Sequence, residues 1–208
     1  MKGRQIVIGQ VFGRDAAALM QDGRLEDLIV DPSGVMPFAP GAICRAKVDR
    51  LVKGQGGVFL RLPDGAQGFL RDRGGLREGQ PLIVQVTGSA EDGKAIPVSA
   101  RLNFRGRHVI VTPSAPGVNV SRRIRDPETR AALTEIGEAA IADLPEPPGI
   151  VFRSITAQAD LDEVAAELRE LLDLAAAIQS DNQGAPELLL DAPDPAEAAW
   201  QDWAEPAP

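Results

Sequence analysis

The chain has 208 residues, 44% hydrophobic and 25% charged, with a formal net charge of −8, which is ordinary globular usage with room for one or two domains. A single cysteine (Cys44) excludes a disulfide framework and a single histidine (His108) a His-rich metal site. No apolar run approaches the ~20 residues of a membrane span, and the start MKGRQIVIG lacks a signal peptide's apolar stretch, so a cytoplasmic protein without membrane contact is expected.

In chain order, Arg4–Val11 and Arg24–Val30 read as β-strands, with a further short strand at Arg14–Met20 and a hairpin turn at Gln21-Asp22-Gly23. Five candidate strands then follow within about 60 residues. They are Ala42–Val52, Gly56–Leu62, Ala66–Arg71, Pro81–Thr87 and Ala95–Phe104, with turns at Lys53-Gly54-Gln55, Pro63-Asp64-Gly65 and Glu91-Asp92-Gly93. Short strands with Gly-rich turns at this spacing predict a small antiparallel barrel. Arg107–Pro113 is strand-like, and Asp126-Pro127 opens a helix carrying Leu133, Ile136, Ala140 and Ile141 at helical spacing. Gly149–Ala157 reads as a strand, and Leu161–Ile178 as an amphipathic helix. From Ser180 onward the chain is rich in Pro, Ala and acids. It is expected to be a flexible tail apart from Leu188–Leu190, Trp200 and Trp203.

This order gives an α+β fold: a barrel at 39–104 inserted into a small α/β unit made of 1–38 and 105–180, followed by an acidic tail at 181–208. The two flanks are each too short for a sound core, and joined they supply five strands and two helices. Charge is segregated along the chain. Residues 1–130 carry 20 basic and 13 acidic side chains, whereas 131–208 carry 2 and 17. A basic first part is a reason to consider a polyanion partner, although a solvated surface has the same composition.

Three features can carry chemistry. Phe59 and Phe69 lie in VFLRL and GFLRD, each two residues before an arginine (Arg61 and Arg71). On a strand, i and i+2 share a face, so each ring stands beside a guanidinium. Exposed rings beside Arg hold single-stranded nucleic acid by base stacking and phosphate contact, and the same rings could equally fill a barrel core. Lys94 can reach the same surface from its turn. Ser121-Arg122-Arg123-Ile124-Arg125, after a Gly-containing loop and before a helix, offers phosphate contacts through Arg122 and Arg123. Arg153-Ser154 pairs a guanidinium with a hydroxyl on an otherwise apolar strand, which suits a terminal phosphate. The chain contains no Walker or dinucleotide glycine pattern, no metal-ligand spacing and no catalytic constellation around His108.

Four segments, in order, resemble the amino-terminal region of the ribonuclease E/G family of bacterial endoribonucleases. They are LREGQPLIVQV (Leu76–Val86), FRGRHVIVTP (Phe104–Pro113), VSRRI (Val120–Ile124) and GIVFRSITA (Gly149–Ala157). The resemblance runs from about Arg4 to Leu190. It implies an OB-type RNA-binding barrel inserted into an RNase-H-like subdomain, with single-stranded RNA as partner. By resemblance, Phe59, Phe69 and Lys94 are RNA-contacting positions of the barrel. Arg153, Ser154 and Val120 match the pocket for a 5′-monophosphate, with Ser154 standing where the family has Thr. The family's magnesium-binding aspartates belong to a later, DNase-I-like subdomain, so catalytic residues, metal and cofactor are expected to be absent from this stretch. Magnesium and a homo-oligomer are expected of the complete enzyme. Three readings compete: the RNA-binding, 5′-sensing portion of an endoribonuclease; a non-catalytic RNA-binding regulator using the barrel alone; and an interaction module whose acidic tail, with Trp200 and Trp203, docks on a partner or shields its own basic surface.

Overall fold

Two-residue turns set the first sheet. Phe12-Gly13 and Asp22-Gly23 all take positive φ (52°, 75°, 49° and 79°), the left-handed pairs that match the twist of a tight hairpin. They join β1 (Arg4–Val11), β2 (Arg14–Gln21) and β3 (Arg24–Val30) into an antiparallel meander. The computed structural model describes residues 3–52, 56–71, 74–90 and 93–203. The expected turns at 53–55 and at 91–92 lie outside these described residues.

The expected barrel is present. β4 (Ile43–Leu51), β5 (Val58–Arg61), β6 (Gln67–Leu70), β7 (Pro81–Val86) and β8 (Ile96–Ser99) close in the order β4-β5-β6-β8-β7, with β7 pairing back onto β4. The barrel is mixed, not wholly antiparallel, because β6 and β8 run parallel. Its interior holds Ala42, Cys44, Ala46, Val48, Val58, Leu60, Leu62, Leu70, Val84, Val86, Ile96 and Val98. Burial pushes the Cys44 thiol up to about 11, with the Asp191 carboxylate adding to the shift, so it acts as a small apolar side chain.

Downstream, β9 (Phe104–Arg105), β10 (Val109–Thr112), β11 (Gly117–Val120) and β12 (Gly149–Phe152) form a second sheet in the order β11-β12-β10-β9. Helices α1 (Pro127–Ile141) and α2 (Leu161–Ser180) belong to the same core, through Leu133 of α1 and Val164, Leu168, Ala175 and Ile178 of α2 beside Val109, Val111, Ile150 and Phe152. Asp126 caps α1, accepting hydrogen bonds from the Thr129 backbone N–H (2.8 Å) and hydroxyl (2.6 Å). The strand expected over Gly149–Ala157 ends at Phe152, and residues 154–158 turn as a 3₁₀ helix. β11 forms where the sequence showed only a Gly/Pro/Ser stretch, because Gly117–Val120 pairs parallel with β12.

The two flanks of the barrel do not share a sheet: β1–β3 stand apart from β9–β12. The cover for β1–β3 comes from the acidic segment. Leu188 and Leu190 lie in β13 (Glu187–Leu190), which pairs with the edge of β4. Beyond it, α3 (Pro195–Asp202) is closed by a capping box between Asp194 and Glu197. Ala199 and Trp203 pack on Ala17 and Leu19 of β2, and Trp203 Nε1 donates to Asp27 (3.1 Å). Of the exceptions expected within the tail, Leu189, Leu190 and Trp203 pack on the cores, whereas Leu188 and Trp200 remain exposed. Arg45 fastens the same segment to the barrel. It is 5% exposed, its Nη1 donates to Glu187 (2.8 Å) and the Ala185 carbonyl (3.0 Å), and Nη2 pairs with Asp181.

Candidate nucleic-acid interface

Alternation along β5 sends Val58 and Leu60 inward, which leaves Phe59 and Arg61 on the outer surface. β6 repeats the arrangement, with Gly68 and Leu70 inward and Phe69 outward. Phe59 and Phe69 are direct cross-strand partners, their ring centroids 5.3 Å apart at 55°, a tilted pair worth roughly 0.5–1.5 kcal/mol beyond area burial. Both rings are half-buried, and neither belongs to the barrel interior. Gly57 makes room for the pair: a Cβ there would lie 2.4 Å from Phe69 Cζ.

The flanking cations are distributed differently from expectation. Arg61 shares Phe59's side of β5, but its Nη2 is held by Asp49 at 2.9 Å. The guanidinium over the Phe59 ring is that of Arg50, 4.4 Å from the centroid, a residue the Phe-x-Arg spacing did not reveal. Arg71 is exposed just past the end of β6, and Lys94 is exposed two residues before β8, the strand beside β6.

A second group of basic residues gathers around the end of β12. Val120 lies opposite Phe152 in the parallel ladder, and the Ser121 N–H donates to the Phe152 carbonyl (2.9 Å). Val120 therefore ends its strand level with Phe152, the residue before Arg153. Arg130 of α1 shapes the intervening turn by donating from Nη1 to the carbonyls of Ser121 (2.9 Å) and Ile124 (3.0 Å). Arg122 and Arg123 are exposed on that turn.

Arg153 itself is heavily engaged. Its Nη1 donates to the carbonyls of Gly106 (2.9 Å), Arg107 (2.9 Å) and Gln201 (2.6 Å), and Nη2 is 3.9 Å from the Asp202 carboxylate. Asp202 also pairs with Arg105, and Arg107 lies over the exposed Trp200 ring, 3.8 Å from its centroid. Burial, reinforced by the Arg105 charge, lowers the Arg153 pKa from its ordinary value, with Asp202 and Glu167 opposing. Three arginines thus meet the C-terminal end of α3. The meeting of Arg105 and Arg107 with the end of α3 has no local sequence signature, because it arises only through the docking of that helix.

Glu167 of α2 holds this cluster's backbone. Its Oε1 accepts from the His108 (2.8 Å) and Val109 (2.9 Å) N–H groups, and its Oε2 is 2.9 Å from His108 Nδ1. A Cβ on Gly106 would sit 2.2 Å from Oε1, so only glycine admits the carboxylate. Glu167→Ala strands two amide donors and is expected to destabilise the fold by about 2–4 kcal/mol, read as a lower urea midpoint.

Among the described residues, no group of three or more His, Cys, Asp or Glu is placed to hold a metal ion. No helix among them is long and apolar enough to cross a membrane.

Comparison with known proteins gives relatives of this sequence. The Ribonuclease E/G family model matches residues 103–207, a span that includes α3. Ribonuclease E of Synechocystis sp. is 26% identical over 178 residues, covering 78% of this chain and 25% of its own length. A ribonuclease E/G-like protein of Pyropia yezoensis is 23% identical over 171 residues, covering 74% of this chain and 32% of its own. The chain thus spans between a quarter and a third of the length of these curated relatives. With a family model matching half of its residues, in the region of the β9–β12 sheet and the arginine cluster, the chain belongs to the ribonuclease E/G family.

Proposed function

We propose that this chain is the RNA-binding portion of a ribonuclease E/G-type endoribonuclease of RNA processing and decay, and that it grips single-stranded RNA on the outer face of the barrel. The observation that carries this reading is the outward pair Phe59–Phe69 with the Arg50 guanidinium carbon over the Phe59 ring. Bases stack on such rings without regard to sequence, while Arg61, Arg71 and Lys94 supply phosphate contacts around them. The closed strand order with β6 parallel to β8 supports an OB-type barrel, an architecture suited to oligonucleotides. The test is titration of a single-stranded oligoribonucleotide against the same sequence as a duplex. Tight binding of the single strand alone supports the reading, and equal binding of both removes it.

The same chain is proposed to sense a 5′-monophosphate through Arg153, Ser154 and Val120, with Arg122 and Arg123 as further phosphate contacts. Support comes from the adjacency of β11 and β12, which sets Val120 level with Phe152, the residue before Arg153. A second reading, RNA binding by the barrel alone, is favoured by one observation: Arg153 Nη1 already serves three backbone carbonyls. Comparing one oligomer with a 5′-phosphate and with a 5′-hydroxyl separates the two, since only the sensing reading gives a difference.

A further inference from the structure

The register of β4 against β5 contains a one-residue shift. Lys47 pairs with Arg61 and Val48 with Leu60, but the next pairs are Arg50 with Phe59 and Leu51 with Val58. Asp49 is the extra residue. Under strict alternation from the inward-facing Val48, Arg50 would point into the barrel and Leu51 out of it. The bulge reverses this: Leu51 packs against the core beside Val58, and Arg50 emerges on the face of the rings. Asp49 meanwhile takes Arg61 as its ion-pair partner.

The result is a row across four adjacent strands. Arg50 pairs with Phe59, Phe59 with Phe69, and Phe69 with Pro97 of β8. At roughly 4.8 Å per strand the row is about 14 Å long. Arg50 is exposed, and its guanidinium carbon lies over the Phe59 ring, 4.4 Å from the centroid. A planar guanidinium has two faces, and a nucleobase stacks on one of them as it does on an aromatic ring. The ammonium of lysine has no such plane.

From this geometry we propose that Arg50 is a nucleotide-stacking residue. A base lies on the outer face of its guanidinium, so the stack runs base, Arg50, Phe59, and the N–H edge of the guanidinium reaches a neighbouring phosphate. This rests on the barrel-face reading above and assigns to it a residue whose charge alone is insufficient.

The test compares Arg50→Lys and Arg50→Ala with the unsubstituted chain, titrating oligoadenylate and oligouridylate at several salt concentrations. Arg50→Lys retains the cation, so its log affinity against log salt should keep the original slope. Losing one stacking surface should nevertheless weaken oligoadenylate binding about tenfold, and oligouridylate less. Arg50→Ala should show the same loss and also flatten the slope by about 0.7, the share of one phosphate contact on a single strand. Unchanged affinity in Arg50→Lys would overturn the proposal, reducing Arg50 to a point charge, as would wild-type binding by Arg50→Ala. The Phe59→Ala/Phe69→Ala protein, titrated in parallel, separates the two levels. If the rings matter and Arg50→Lys is silent, only the Arg50 assignment fails. If removal of the rings is itself silent, the barrel-face reading fails.

Discussion

Replacing Phe59 and Phe69 together by Ala is expected to weaken binding of a single-stranded RNA decamer by about a hundred- to a thousandfold. Each aromatic platform contributes on the order of 1–3 kcal/mol per stacked base, and about 1.4 kcal/mol corresponds to a factor of ten. The protein should remain folded, because the barrel interior is filled by Val58, Leu60, Leu70 and their neighbours and not by the two rings. The stability cost reduces to the lost ring–ring contact and part of the area the half-buried rings cover. Fluorescence anisotropy against a labelled oligomer, with a urea melt of the same preparation, checks both halves of the expectation. Retained affinity in a folded double variant would mean that the RNA lies elsewhere.

Arg153→Ala is expected to erase any preference for a 5′-monophosphorylated over a 5′-hydroxyl oligomer. It also strands the Gly106, Arg107 and Gln201 carbonyls, which costs about 1–3 kcal/mol of stability. Two further substitutions keep that clasp intact. Ser154→Ala should reduce the preference partially. Asp202→Asn should have the opposite sign, tightening the phosphorylated oligomer severalfold, because it removes the carboxylate that pairs with Arg105 and faces Arg153. A preference that survives Arg153→Ala counts against sensing at this site, and indifference of all three variants favours binding by the barrel alone.

The parts of the fold legible in the sequence are those encoded locally. Asp22-Gly23 marks its hairpin, Asp126-Pro127 the start of α1, and the alternation in VFLRL and GFLRD the two strands whose Phe residues face outward. What was hidden depends on distant pairing. Gly117–Val120 becomes a strand only because β12 lies beside it. The parallel contact of β6 with β8 follows from closure of the barrel and has no local signature. Arg50 carries no pattern of its own, since the bulge at Asp49 is a property of the β4–β5 register. The tail held an available signal: Asp194-Pro195-Ala196-Glu197 is a helix start with its capping box, masked by a composition that reads as loose. With α3 placed, the meander β1–β3 gains a cover, which is how it stands as a sheet separate from β9–β12.

The most direct measurement is ultraviolet cross-linking of a single-stranded oligouridylate to the full chain, with the attached peptides located by mass spectrometry. Contact on the outer barrel face places the principal adducts within residues 56–71, at or next to Phe59 and Phe69, and a duplex competitor leaves them in place. Adducts confined to the Ser121–Arg125 turn or to α3, with none on β5 or β6, would contradict it.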